Sequence, residues 1–251
     1  DLLALLAEPL QHQFMRNGVK YVHAIAKLTA PNRALMTTEA GETSEIGFDH
    51  ALVSVGTRPH RPDNIPFDHE HVFDSDEILD IKALPRTLTV IGGGVIGVEY
   101  ATIFSALDVP VTLVESRESI LEFVDRELVD DFIHQMRDRG MTVRLGCGVK
   151  DVVVTEKGVE TNLSDGRLVR SEMLLYAAGR SGNVGSLGLE SVGIETDSRG
   201  RIKVNPETFQ TAQPHIYACG DVIGFPSLAS TSMEQGRIAA CHAFGVNLPP
   251  A

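Results

Sequence analysis

A glycine-rich turn, Gly92-Gly93-Gly94-Val95-Ile96-Gly97, sits near the middle of this chain, and no other stretch constrains the fold as much. Residues 87–91, TLTVI, lead into it as a continuous apolar run, the pattern of a strand buried on both faces of a parallel sheet. GVIGVEYATIFSAL leads out of it with helical texture, and PVTLVE follows as a second buried strand ending in Glu115, 18 residues after Gly97. G-x-G-x-x-G alone is a weak pattern. Placed between a strand and a helix, with an acid closing the next strand, it predicts a dinucleotide-binding βαβ unit. Gly92 would permit the tight turn, Gly94 would let the backbone approach a pyrophosphate, and Gly97 would let the helix pack close to the strand. The helix that leaves the turn would offer unpaired N–H groups and a positive dipole end to the phosphates. Glu115 would accept hydrogen bonds from the adenosine ribose.

The last of these assignments carries a puzzle. TLVESRES holds a base, Arg117, two positions after the acid Glu115. A carboxylate there suits NAD, because it binds the ribose 2′-hydroxyl and repels a 2′-phosphate; a guanidinium suits NADP for the opposite reason. The two residues together fit a site that takes either cofactor. They fit equally a site in which Glu115 selects NAD and Arg117 is a solvent-exposed loop charge.

Around the turn, three zones differ in texture. Residues 1–84 read as short strands, GVKYVHAIAKL, RALMTT and HALVSVG, followed by a polar, proline-rich connector. Residues 85–205 alternate strand and helix. In DRELVDDFIHQMRDRG, Leu128, Val129, Phe132, Ile133 and Met136 recur at helical spacing, and Gly140 marks the stop. MTVRL is a further strand, residues 149–170 form a β-meander, and MLLYAAGR is one more buried strand. Residues 206–251 hold the strand-to-glycine run PHIYACGDV and a helix over SMEQGRIAACHAFG. The expected class is α/β, with a parallel sheet and a meander.

Composition narrows the chemistry. The net charge of −12 argues against nucleic-acid binding, which needs a basic footprint, and against docking on anionic membranes. No apolar run reaches the roughly 20 residues needed to cross a bilayer. The opening DLLALLAEPL lacks a basic leader and reads as the end of an amphipathic helix, not a signal peptide; with no initial Met, the chain is expected to begin partway into a longer protein. Cys147, Cys219 and Cys241 form no C-x-x-C or C-x4-C pair and read as small buried hydrophobes. Asp68, His69, Glu70 and His71 cluster in the proline-rich connector and read as solvated loop, so no metal site is expected.

Four motifs in order, VSVGTRP, VIGGGVIGVEYATIFSAL, LLYAAGRSGN and IYACGDVIG, resemble the two-dinucleotide flavoprotein reductases, and the resemblance runs over essentially the whole chain. That family includes glutathione reductase, dihydrolipoamide dehydrogenase, mercuric reductase and soluble transhydrogenases. GVIGVEYATIFSAL, ESRESILEFVDREL, GRSGNVGSLGLESVGIE and GDVIGFPSLAS are most similar to its soluble NAD(P) transhydrogenase branch. Dihydrolipoamide dehydrogenases usually carry M-L-A-H where this chain has Ser227-Leu228-Ala229-Ser230.

The resemblance implies an FAD/NAD(P)-binding, three-layer Rossmann-like domain flanked by parts of a similar flavin domain, with FAD, NAD and NADP as cofactors. It implies that Gly220 and Asp221 hold the flavin ribitol and pyrophosphate, that Leu228, Ala229 and Ser230 lie against the flavin ring, and that Gly56 and Thr57 pass near it. Gly94 to Gly97 would hold the nicotinamide dinucleotide, with Glu99 towards the nicotinamide end, Glu115 and Arg117 towards the adenosine end, and Gly179 with Arg180 lining the same cleft. It favours dual use of Glu115 and Arg117. The implied reaction passes a hydride from NADPH to flavin and then to NAD, with no side chain cast as a catalytic acid or base. The implied parent is a cytoplasmic homo-oligomer whose first FAD motif and C-terminal dimerisation domain lie outside these residues. The competing readings are an NAD-specific dithiol oxidoreductase of the dihydrolipoamide dehydrogenase kind, and a catalytically silent nucleotide-binding fragment.

Overall fold

A computed structural model describes residues 2–247. The chain divides into two compact units, one built from residues 1–56 and 182–251, the other from residues 57–181. These divisions differ from the expected joins near residues 84 and 205. The proline-rich connector carries a strand of the central sheet, so it belongs with the glycine turn and not with the segment before it.

In chain order, the first unit opens with α1 (Leu2–Arg16), β1 (Ile25–Ala30), β2 (Arg33–Thr37), β3 (Thr43–Gly47) and β4 (Ala51–Val53). β1, β2 and β3 form an antiparallel sheet. The run GVKYVHAIAKL becomes strand only from Ile25, where pairing with Thr37 begins. β3 escaped the sequence reading because TSEIG is exposed along its whole length; ladder hydrogen bonds to β2 hold it, not an apolar face.

The second unit contains β5 (Thr57–Pro59), β6 (Val72–Asp74), β7 (Leu88–Ile91), α2 (Val95–Ala106), β8 (Val111–Val114), α3 (Arg126–Asp138) and β9 (Thr142–Arg144). There follow the meander β10 (Val149–Thr155), β11 (Gly158–Leu163) and β12 (Leu168–Ser171), then β13 (Met173–Tyr176) and β14 (Arg180–Gly182), which pairs with β5. The central sheet has the order β6-β13-β7-β8-β9 and is parallel throughout. β7 is buried at every residue, including Thr89, whose hydroxyl donates to Ser171 Oγ at 2.8 Å. The chain steps from β7 through α2 to β8 and through α3 to β9, then returns to the other side of β7 as β13. The strand order therefore reverses between β7 and β13, the crevice where open parallel sheets bind ligands.

α3 begins at Asp125, whose carboxylate accepts the Glu127 N–H at 2.9 Å, and ends before Gly140, at φ +85°. Val129, Ile133 and Met136 face the core with Val90, Leu113 and Leu175. Leu128, counted on the apolar stripe from its spacing, instead points outward and is 65% exposed. The stripe is narrower than the sequence suggests, since Phe132 is only partly buried.

The first unit closes with β15 (Ile216–Ala218), parallel to β4, and α4 (Ala229–Ala243), which starts three residues before the expected Ser232. Its core gathers Leu28, Val53, Ile202, Ile216 and Val222. Among the described residues no helix is long and apolar enough to cross a membrane.

Candidate functional site

Strand register builds the site. Tyr176, Ile91 and Val114 lie side by side at the carboxyl ends of β13, β7 and β8, so the chain leaves all three strands at one level. Gly92 N–H donates to the Val114 carbonyl at 2.9 Å, and Ala177 N–H to the Ile91 carbonyl at 2.7 Å. Gly92 turns the chain at φ +112°, and a Cβ there would lie 2.7 Å from the Ala177 carbonyl oxygen. At Gly97 a Cβ would come within 1.9 Å of the Gly92 carbonyl oxygen, so the first turn of α2 sits directly on the strand end. Gly94 is different. Nothing lies within 4 Å of where its Cβ would be. It caps α2 without a side-chain hydrogen bond, which leaves the first N–H groups of the helix to a ligand or solvent. The turn is thus tight at Gly92, Gly93 and Gly97 and open at Gly94.

The acid and the base beside this turn hold one another. Glu115 is 4% exposed. Its Oε2 accepts the Gly93 N–H at 2.5 Å and Arg117 Nη2 at 3.0 Å; its Oε1 accepts the Arg117 N–H at 2.9 Å, Arg117 Nε at 3.0 Å and the Ser116 hydroxyl at 3.1 Å. The remaining guanidinium nitrogen, Arg117 Nη1, donates to Glu122 Oε2 at 3.0 Å. Burial by itself would raise the Glu115 carboxyl, but the Arg117 side chain and the Arg117 and Gly93 N–H groups outweigh it and bring it down to about 2. The hydrogen bond to Glu115 correspondingly raises Arg117. Backbone bonds fix this loop as well. Leu121 N–H donates to the Gly93 carbonyl at 2.9 Å, Cys147 N–H to Glu115 O at 3.0 Å, and Gly146 N–H to Arg117 O at 2.8 Å.

Next to Glu115, a cavity of about 270 Å³ opens over the strand ends, lined by Ile91, Gly92, Val114, Glu115, Cys147 and Tyr176 among others. Glu99 is exposed on α2. Gly179 turns the chain at φ +103° after β13. Arg180 next to it is committed to the fold. Its Nε donates to the Thr57 hydroxyl and its Nη2 to the Thr57 carbonyl, both at 2.8 Å, while Nη1 reaches Ser75 and Asp76 at 3.3 Å. Thr57 is thereby tied down by the residue that follows Gly179.

In the other unit, β15 runs into a second glycine turn. Gly220 sits at φ +77°, and its N–H donates at 2.8 Å to Oε1 of Gln235, a buried side chain of α4. Asp221 follows, half-buried, within a short 3-10 turn, and Ile202 N–H donates to the Val222 carbonyl at 2.9 Å. Leu228, the cap of α4, has no side-chain capping bond, and Leu228, Ala229 and Ser230 are exposed. Gly56 turns at φ +66° and its carbonyl accepts the Asn183 N–H at 3.1 Å. Cys147, Cys219 and Cys241 are all free thiols. In the connector, Asp68 accepts the N–H groups of Glu70, His71 and Val72, which makes it a turn residue of the loop.

A family model described as pyridine nucleotide-disulphide oxidoreductase matches residues 6–236. The chain belongs to that family. It is 45% identical over 237 residues to the soluble pyridine nucleotide transhydrogenase of Mycobacterium bovis BCG Pasteur, covering 94% of this chain and 50% of the relative. It is 42% identical to the transhydrogenase of the same description from Serratia proteamaculans, covering 90% of this chain and 49% of the relative. The crystal structure of LpdA from Mycobacterium tuberculosis superposes with a TM-score of 0.91 at 31% identity, over all of this chain and 56% of that one. The flavoprotein disulfide reductase RclA from Escherichia coli gives 0.80 at 27% identity, over 92% of this chain and 52% of that one. The chain thus spans about half the length of the curated relatives it matches.

Within the family frame, the structure adds residues that spacing did not single out. Gly93 carries the amide that anchors Glu115, and a Cβ there would lie 2.6 Å from Ile120. Glu122 shares Arg117 with Glu115 from seven positions away, too far for the charge pattern around Glu115 to suggest it. Gln235 holds Gly220 from within a helix whose sequence gives no sign of the bond. The doubled glycine at Gly92-Gly93 was the one available hint, since the fingerprint needs only the first of the two.

Proposed function

We propose that this chain is the nicotinamide-binding region, with part of the flavin-binding region, of an FAD-dependent oxidoreductase that passes hydride from NADPH to NAD. The observation that carries the reading is the open Gly94 backbone at the start of α2, with the Glu115–Arg117 pair at the adjoining strand end. The N–H groups that α2 leaves uncapped after Gly94 would receive the pyrophosphate. The cavity lined by Val114, Cys147 and Tyr176 would take the adenosine, bringing its ribose to Glu115. Glu99, on the exposed side of α2, would lie towards the nicotinamide. Gly179 would line the cleft through its backbone; the guanidinium of Arg180 holds Thr57 in place.

The resemblance assigns FAD to Gly56, Thr57, Gly220, Asp221, Leu228, Ala229 and Ser230. The uncapped start of α4 and the exposed residues Leu228, Ala229 and Ser230 there fit such a group. Bound FAD would supply a carrier that accepts a hydride from one nicotinamide and returns it to another, so that NADPH and NAD become NADP and NADH. The task left to these side chains is selection and alignment. One nucleotide site serving both halves of the reaction must accept a 2′-hydroxyl and a 2′-phosphate in turn, and an acid and a base in mutual contact can offer either one. The similarity to soluble pyridine nucleotide transhydrogenases over more than nine-tenths of the chain supports this reading.

Calorimetric titration with NADH and NADPH tests it directly. Wild-type protein is expected to bind both. Arg117→Ala is expected to weaken NADPH more than NADH, by about 1–3 kcal/mol for a charged hydrogen bond. Equal losses for the two nucleotides would remove Arg117 from the 2′-position.

A further inference from the structure

The arrangement around Arg117 contains one acid more than two-way recognition needs. Arg117 makes four donations to acids, through its backbone N–H, Nε and Nη2 to Glu115 and through Nη1 to Glu122. Its guanidinium therefore has no nitrogen without an acid partner. Glu115 in turn has acceptor contacts on both oxygens. Three of the five guanidinium N–H groups are thus committed to acids, and a 2′-hydroxyl can use Glu115 only when Arg117 gives up a bond to it.

The two acids differ in what they hold. Glu115 is buried and pinned by Gly93, whereas the Glu122 side chain is half-exposed and faces Arg117 from the far side. Glu122 is also firmly placed. Leu121 before it donates to the Gly93 carbonyl at 2.9 Å and has a positive φ of 47°, unusual for leucine; Val124 N–H donates back to Leu121 O at 2.8 Å. This strained bend aims the residue after Leu121 at the guanidinium.

We propose that Glu122 sets the preference between the two nucleotides, as a positioning residue acting through Arg117; the inference rests on the proposed nucleotide site. When a 2′-hydroxyl takes a lone pair of Glu115, Arg117 can release that oxygen and remain bonded to Glu122. The exchange keeps every charge paired. A 2′-phosphate needs the guanidinium itself, and it brings a further anion beside Glu122 to a base already shared by two carboxylates. Glu122 therefore penalises NADPH and leaves NADH nearly untouched. Two acids to one base give the patch a net negative charge, and that charge acts in the same direction.

The series Glu122→Gln and Glu122→Lys, read by calorimetry with NADH and NADPH, tests this. Glu122→Gln is expected to tighten NADPH by about threefold to tenfold, with NADH changed by less than about twofold; Glu122→Lys is expected to tighten NADPH further. Thermal melting at unchanged midpoint reports an intact fold for each variant. In an Arg117→Ala background, the Glu122→Gln gain is expected to fall to less than half. An unchanged ratio in Glu122→Gln, with Arg117→Ala still selective against NADPH, removes Glu122 alone. A full gain that persists without Arg117 overturns action through the arginine. Failure of the wild-type chain to bind either nucleotide overturns this inference together with the site it rests on.

Discussion

Two glycine turns leave two parallel strands in this molecule, one in each unit, and each is anchored by a single side chain from elsewhere. After β7, Gly93 N–H is held by the Glu115 carboxylate, which comes from the neighbouring strand. After β15, Gly220 N–H is held by the Gln235 amide, which comes from the following helix. The first anchor is charged, is shared with Arg117, and stands at the position we propose for a ribose. The second is neutral and has one described task. A charged anchor ties the shape of the turn to pH and to ligand, and a neutral one does not. The first turn also has almost no spare room, because Gly92 and Gly97 touch backbone; at Gly220 a Cβ would meet only the Ser232 side chain at 3.3 Å.

That difference in room yields the largest contrast. Gly97→Ala would drive a methyl group to within 1.9 Å of the Gly92 carbonyl oxygen, which α2 can relieve only by lifting off β7. We expect a loss of about 4 kcal/mol or more in chemical denaturation, or failure to fold. Gly220→Ala meets a hydroxyl that can rotate away and carries mainly the strain of φ +77°, about 1–2 kcal/mol. Similar losses at the two positions would show that the first turn is not the tighter.

How far the sequence exposes these features follows from the forces that hold them. β7, α2, β8 and α3 are legible because burial makes them periodic or continuous, and Gly92, Gly94 and Gly97 are legible because their spacing is geometric. β3 is not, because its stability comes from backbone pairing that any exposed sequence can supply. The unit boundary is not legible either, because β6 joins the sheet from inside a proline-rich connector. At the site, the residue types Glu115 and Arg117 announce themselves, but their mutual hydrogen bonds do not. Two residues apart, they could diverge or converge, and only the fixed bend from Ser116 to Leu121 decides. Glu122 and Gln235 act across turns that periodicity does not reach.

A sharper separation of fold from site is available at Gly94. Its Cβ would enter open space, and its φ of −78° suits any residue. Gly94→Val is expected to cost the fold about 1 kcal/mol or less, from the poorer cap, while weakening both NADH and NADPH by about 100-fold. Retained affinity in calorimetry would place the pyrophosphate elsewhere and remove the reason for reading the turn as a cradle.

The two anchors themselves give the most discriminating comparison. Glu115 ionises at about 2 in the folded chain against an ordinary 4.5. A folded value below the unfolded one means that the stabilisation is complete above about pH 4.5 and disappears as pH falls towards 2; the shift corresponds to about 3 kcal/mol. Glu115→Gln should therefore differ most from wild type at neutral pH and converge on it in acid, because protonation removes from the wild type the charge that the variant already lacks. Gln235→Leu leaves the Gly220 N–H without its acceptor, at about 1–3 kcal/mol, and glutamine does not titrate. The difference between wild type and Gln235→Leu is accordingly expected to stay level across the same window in denaturant melts from pH 7 to pH 3. If the Glu115→Gln difference is also level, the carboxylate anchors Gly93 as a neutral acceptor would, and its pairing with Arg117 contributes nothing that depends on charge.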